Sequence, residues 1–232
     1  SGRTQDLNVS FISNWLNSNC GISVKEVRII PDNEKLIIYN LKELKKKYKY
    51  IFTTGGIGPT HDDITAKSIS KAFNLKYEFH KEAYSILEKY YGKIKFNEGR
   101  KKMAKMPRGS VLIYNPASAA PGFIINNVFC LPGVPSILKS MISNCIKYLI
   151  KGSKILSKSI NLHTVESNIA KEIGKVQKLF GRKVDIGSYP FFRLGKIGVS
   201  IVLRSSSTNQ LKICLNSIKK IVKTKKIKIF KI

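Results

Sequence analysis

Cysteine is scarce in this chain: there are four, Cys20, Cys130, Cys145 and Cys214, far apart and with no C-x-x-C pair. Disulfide-stapled folds are small and cysteine-dense, so this spacing excludes a disulfide framework, argues against zinc, and suits reduced thiols in a cytoplasmic protein. No stretch approaches the roughly 18–20 continuous apolar residues of a membrane span, and no membrane partner is expected. The opening residues also lack a basic start, an apolar stretch and a small-residue cleavage site. Acidic residues are few, 14 against 42 lysines and arginines in 232 residues, for a net charge of +28. Such an excess would suit nucleic acid if the cations were clustered and interleaved with aromatics. They are instead spread thinly, as Lys45–Lys47, Lys101–Lys102, Lys219–Lys220 and Lys225–Lys226. The reading is a solvated basic surface that can steer anionic ligands, with no specific nucleic-acid partner. Any DNA or RNA binding is expected to be weak, sequence-blind and lost steeply with salt.

What is present is enough apolar residue, 43%, to build a core for one domain and a small second one, placed at residues 1–151 and 152–232. Asp6 or Asn8 caps a first helix with Val9, Phe11, Ile12, Trp15 and Leu16 on its apolar face, ended by Gly21. A strand is expected over Val24–Ile30, a helix from Asp32 carrying Leu36, Ile37, Leu41 and Leu44, and a short buried strand at Tyr50–Thr54. Helices follow at Ile64–Phe73, Lys81–Tyr91 and Glu98–Ala104. Strands are expected at Val111–Tyr114, Gly122–Ile125 and Val128–Leu131, the last two joined at Asn126-Asn127, and a long helix at Pro135–Ile150. This alternation implies an α/β fold, a three-layer, mostly parallel sheet with helices on both faces. Because the chain opens at Ser1 on a loop and helix, a further strand is expected upstream. From Gly152 the pattern becomes strand Ile155–His163, helix Glu166–Phe180, strands Val184–Tyr189 and Ile197–Arg204, and helix Gln210–Val222. That is a small α+β module, with the tail after Thr224 loose or a short edge strand.

The segment Thr53-Thr54-Gly55-Gly56-Ile57-Gly58-Pro59-Thr60-His61-Asp62-Asp63-Ile64-Thr65 carries the chemistry. An apolar strand runs into three glycines, and a helix is expected to begin at the aspartates. Glycine allows positive φ and close backbone approach, and successive amides ahead of a helix form an anion site. In α/β sheets such a loop lies at the carboxyl end of a strand, where ligands bind. Thr54, Thr60 and Thr65 add hydroxyl donors. The third glycine of a dinucleotide fingerprint and the lysine of a Walker loop are both missing. Asp62 and Asp63 have two open readings: a helix cap that suits the dipole, or ligands for a hard divalent cation and acid–base groups. His61 reads as a polar surface residue, and the glycines and prolines can be explained by turn geometry alone.

This run resembles the signature of the molybdopterin-binding superfamily, and most closely the branch of competence/damage-inducible protein A (CinA) and the N-terminal domain of FAD synthase. Gly2-Arg3-Thr4-Gln5-Asp6-Leu7-Asn8 is similar to its opening loop. Ala120-Pro121-Gly122-Phe123 and Leu131-Pro132-Gly133-Val134-Pro135-Ser136 are similar to two later motifs, and Ile186-Gly187-Ser188-Tyr189-Pro190 resembles one of the second module. Three departures stand out: the family's first strand with its Gly-x-Glu turn has no counterpart, Ile137 replaces a common Glu, and His61 replaces a common Pro. The deamidase domain of CinA proteins also has no counterpart up to Ile232, so nicotinamide mononucleotide deamidation is not expected.

The resemblance implies a metal-dependent nucleotide pyrophosphatase acting on ADP-ribose or FAD-type dinucleotides. The alternatives are a molybdopterin-binding protein of molybdenum cofactor assembly, or a non-catalytic phosphate-ligand domain. In the first reading Gly55, Gly56 and Gly58 cradle phosphate, and Thr54, Thr60 and Thr65 assist. Asp63, with Asp62, holds Mg²⁺, Mn²⁺ or Co²⁺ for catalysis. Asp6 and Asn8 face the same cleft, with Pro132, Gly133 and Ser136 opposite. The expected partner is a small phosphate-containing ligand, and the expected state a homo-oligomer.

Overall fold

The computed structural model describes residues 5–193 and 195–230. The chain divides into two compact units: the residues up to Asn14 together with Val24–Ile150, and Trp15–Ser23 together with the chain from Lys151 onward. Helix α1 (Asn8–Cys20) therefore contributes to both. Its start is held by Asp6, whose Oδ1 accepts from the amides of Asn8 (2.8 Å) and Val9 (3.0 Å). It ends at Gly21 with φ +63°, where a Cβ would lie 2.2 Å from the Gly152 carbonyl oxygen. Only glycine lets the chain turn there against Gly152, whose amide donates to Cys20 O.

In chain order the first unit continues with α2 (Glu34–Lys47), β1 (Ile51–Thr54), α3 (Thr65–Ala72), β2 (Tyr77–Phe79), α4 (Lys81–Tyr91) and α5 (Glu98–Lys102). Next come β3 (Lys105–Pro107), β4 (Val111–Ile113), β5 (Gly122–Ile125), β6 (Val128–Leu131), α6 (Pro135–Met141) and a 3₁₀ helix over Ile142–Tyr148. Side chains one turn before the backbone bonds begin cap several helices: Asn33 accepts from Leu36 N, His80 from Ala83 N and Asn97 from Arg100 N. The main sheet has the order β1-β6-β5-β4. β1 runs parallel to β6, while β5 is antiparallel to both β6 and β4. The α/β class holds, and the sheet is mixed because a tight turn at Asn126 (φ +52°) returns the chain directly from β5 to β6.

Every residue of β5 and β6 is buried, so helices cover both faces. Phe123, Ile125, Val128 and Cys130 pack with Ile37 and Leu41 of α2, Ala66 and Ile69 of α3, and Ala83 and Leu87 of α4. The alternate residues Ile124, Phe129 and Leu131 are buried as well, along with Leu138 and Met141 of α6. Phe129 stacks on Phe52 with ring centroids 4.7 Å apart. Each such side chain contributes about 1.5–3 kcal/mol by leaving water. This packing fixes the ends of β1 and β6, and with them the loops that follow.

Two sequence expectations are corrected, and one element was missed. Val24–Ile30 is not a strand: it forms no ladder with a described strand, and Ile29 is 83% exposed. Its β-branched residues favour a sheet only where a neighbour supplies hydrogen bonds and packing. The long helix expected over Pro135–Ile150 is α-helical only to Met141 and then tightens to 3₁₀. A two-stranded antiparallel ribbon, β2 with β3, was not foreseen.

The second unit contains β7 (Leu156–Leu162), a 3₁₀ turn at Glu166–Asn168, α7 (Ala170–Phe180), β8 (Asp185–Arg193), β9 (Lys196–Ser205) and α8 (Thr208–Thr224). Its antiparallel sheet has the order β7-β9-β8. Ile160, Leu162, Val199, Ile201 and Leu203 pack under Ile173 and Val176 of α7 and Leu211, Cys214 and Ile218 of α8. The tail returns as an edge: Leu162 bridges Ile229, and Phe230 N donates to Asn161 O.

Candidate functional site

Because β1 and β6 are parallel neighbours, their carboxyl ends deliver two glycine turns to the same place. Thr54 stands beside Leu131 in the register, and Gly55 N donates to Leu131 O at 2.9 Å. Beyond that bond the two turns approach closely at their glycines. A Cβ on Gly133 would lie 3.3 Å from Gly55 Cα, and one on Gly55 would lie 3.8 Å from Gly133 Cα. Gly55 and Gly56 have φ of +92° and +69°, which favours glycine at both. Asn8 joins the pair: its Nδ2 donates to Gly133 O at 2.8 Å, while its buried Oδ1 has no partner among the described residues. Asp6, Asn8, Gly55 and Gly133 thus form one connected set.

Inside the loop, the carbonyl of Gly56 accepts from Thr65 N at 2.9 Å, and a Cβ on Gly56 would meet Thr65 Oγ1 at 2.0 Å. Asp63 folds back rather than forward. Its Oδ2 accepts from Thr60 N at 2.8 Å and Thr60 Oγ1 at 2.5 Å, and a Cβ on Gly58 would lie 2.7 Å from it. Helix α3 begins at Thr65 after Ile64, with no side-chain cap, so neither aspartate is its cap. Asp63 is a lock on the loop.

The amide inventory refines the cradle. Gly55, Thr60 and Thr65 spend their N–H groups on internal partners, so the amides of Gly55 and Thr65 point to protein acceptors. Those of Gly56, Ile57 and Gly58 donate to no group among the described residues. Three consecutive unspent amides are what an anion needs. Thr54 is exposed, Thr60 gives its hydroxyl to Asp63, and Thr65 is buried. Pro132 is half-buried, and Gly133 and Ser136 are exposed on the neighbouring turn and the start of α6.

The Thr60 hydroxyl, and then its own amide, hold the Asp62 carboxyl below the usual range, with His61 and Lys102 adding positive charge. One hydroxyl has one proton, and the 2.5 Å contact gives it to Asp63, so the two carboxylates compete for it. Tyr77 lies close enough for the Asp63 charge to raise its phenol, after the larger effect of burial. A Mg²⁺-type cation takes one or two carboxylates and completes its shell with water and phosphate oxygens. Asp62, exposed, and Asp63 Oδ1, outside the Thr60 contacts, match that need. Among the described residues no three His, Cys, Asp or Glu side chains gather to hold a metal, so the phosphate would have to supply the rest.

Two neighbours were missed from sequence. Tyr77 and Lys102, whose Nζ donates to Thr60 O, come from elements 12 or more residues beyond the loop, and no spacing rule points to them.

A fold with paired glycine turns at the ends of parallel strands defines a class of small-ligand α/β domains. Residues 1–152 match the model described as the probable molybdopterin binding domain, and the chain belongs to that family. Residues 154–231 match the model of the FAD synthase middle domain. A protein of Archaeoglobus fulgidus is 32% identical over 190 residues, covering 82% of this chain and 80% of its own. One of Sulfurisphaera tokodaii is 34% identical over 224 residues, covering 91% and 84%. The crystal structure of the protein CinA from Thermoplasma acidophilum, described as of unknown function, is similar at a TM-score of 0.60 and 30% identity, over 64% of this chain and 90% of that one. No described helix is long and apolar enough to cross a membrane.

Proposed function

We propose that the chain is a metal-dependent hydrolase of nucleotide pyrophosphates of the ADP-ribose or FAD type. The observation that carries this reading is the run of unspent amides at Gly56, Ile57 and Gly58, four to seven residues before two carboxylates in the same loop. The amides receive phosphate oxygens and orient the pyrophosphate, and Gly133 forms the facing wall. Asp63, held by Thr60, and Asp62 hold the divalent cation. That cation, when bound, neutralises phosphoryl charge and acidifies water. Asp62, an exposed carboxylate, is open to a metal from solvent.

A second reading has specific support: the chain binds a phosphate ligand of the molybdopterin kind without hydrolysing it. The family match and the lack of a third acidic or imidazole ligand among the described residues favour it. A screen of ADP-ribose, FAD, NADH and molybdopterin analogues with Mg²⁺, Mn²⁺ and Co²⁺ separates the two. Metal-dependent release of mononucleotides is expected. If no pyrophosphate turns over with any metal while a pterin phosphate binds tightly, the second reading takes first place.

A further inference from the structure

Helix α5 lies against the outer limb of the loop. A Cβ on Gly99 would stand 3.2 Å from Pro59 O, a tight contact that shows how closely the helix approaches the loop backbone. The helix ends in three cations, Arg100, Lys101 and Lys102. Two are spent. Arg100 donates to Lys95 O and lies over the Tyr91 ring, with its Cζ 4.2 Å from the centroid, and Lys101 pairs with Glu98 at 2.6 Å. Lys102 differs: its Nζ donates to Thr60 O, and it has no carboxylate partner among the described residues. Thr60 is also the residue whose amide and hydroxyl hold Asp63. The cation of α5 that has neither an ion pair nor a ring contact among the described residues is therefore parked on the residue that sets the loop.

We propose that Lys102 is a positioning residue for the anionic ligand: its ammonium leaves the Thr60 carbonyl and pairs with a phosphate oxygen of the group held by the Gly56–Gly58 amides. A carbonyl is a weaker partner for an ammonium than a phosphate, because the phosphate oxygen carries a full opposite charge. The four-carbon stem turns without moving the helix. The inference rests on the phosphate-binding reading of the loop and adds a residue to it.

The test measures ADP-ribose binding calorimetrically without added metal, at low and high salt, for the wild type, Lys102→Gln and Lys102→Arg. Lys102→Gln should weaken binding about tenfold, the size of one hydrogen bond to a charged group. The gap should narrow as salt rises, Lys102→Arg should recover most of the affinity, and the melting temperature without ligand should barely move. A parallel measurement needs no variant: in the wild type, ADP-ribose should protect Lys102 from amine acylation, read by peptide mass spectrometry, and leave Lys101 unaffected. Equal affinities and salt slopes for wild type and Lys102→Gln, or acylation of Lys102 unchanged by bound ligand, overturn the inference while the loop reading stands. A wild type that binds no phosphate ligand overturns both.

Discussion

Replacing Asp63 with asparagine separates the lock from the chemistry. In the wild type, Oδ2 receives the Thr60 amide at 2.8 Å and the Thr60 hydroxyl at 2.5 Å. The amide oxygen of Asn can accept both, so the turn geometry should survive. What is lost is the charge. A hydrogen bond to a charged acceptor contributes about 1.5–3 kcal/mol and a neutral one about 0.5–1.5 kcal/mol, and at this half-exposed loop solvent screening removes much of the difference. The net cost for the two bonds should be about 1 kcal/mol, a fall of about 2–4 °C in melting temperature for a chain of this size. On the proposed hydrolase reading turnover depends on the carboxylate differently: without a charged ligand the cation would be held poorly, and the rate should fall by at least about a hundredfold. The assay pairs initial rates of ADP-ribose hydrolysis at saturating Mg²⁺ with thermal melts of the same samples. Asp63→Ala serves as a control that loses both contacts and should melt lower still. A folded Asp63→Asn protein turning over within a few-fold of wild type would falsify the metal role and leave Asp63 as a loop lock only.

Two further outcomes follow from the packing. Gly56→Ala should lose ligand binding and several kcal/mol of stability, because its Cβ would lie 2.0 Å from Thr65 Oγ1 at a φ of +69°; a melt and a binding titration suffice, and wild-type values in both would refute the account of the turn. The thiols set an alkaline limit: burial pushes Cys130 up to about 12 and Cys214 up to about 11 from an ordinary 9.0. A pKa raised on folding gives stability that is whole below the unfolded value and lost as pH rises towards the folded one. Denaturant midpoints should therefore decline above pH 9, and both thiols should resist alkylation at pH 8 until the chain unfolds; rapid labelling of native Cys130 would contradict its burial.

The glycine loop was legible because its residues carry their own geometry: three glycines after an apolar strand can do little else. The hairpin of β5 and β6 was legible from Asn126-Asn127, and α4 has the bounds expected for it, Lys81–Tyr91. Val24–Ile30 was misread because strand propensity is a statement about a neighbour, and the sequence of one segment does not contain its partner. The aspartates were read as a helix start because residue type suits a cap, whereas the choice between reaching forward to Thr65 and back to Thr60 is made by the turn at Gly58. The commitment of the Gly55 amide to Leu131 depends on a strand pairing 77 residues away in sequence, from Thr54 to Leu131. Lys102 reaches Thr60 across 42 residues. Contacts of that range leave no periodic trace.

The seam between Gly55 and Gly133 has a chemical consequence of its own. With 3.3 Å between an added Cβ on Gly133 and the opposing Cα, and a φ of +92° at Gly55, a side chain at either glycine would strain the seam. What the seam offers an anion is main chain, and peptide amides respond to oxygen charge without regard to what the phosphate is attached to. On either reading proposed above, discrimination between a pterin and a nucleoside would then fall to side chains around the rim, and exchanging those would change the ligand while leaving the seam untouched.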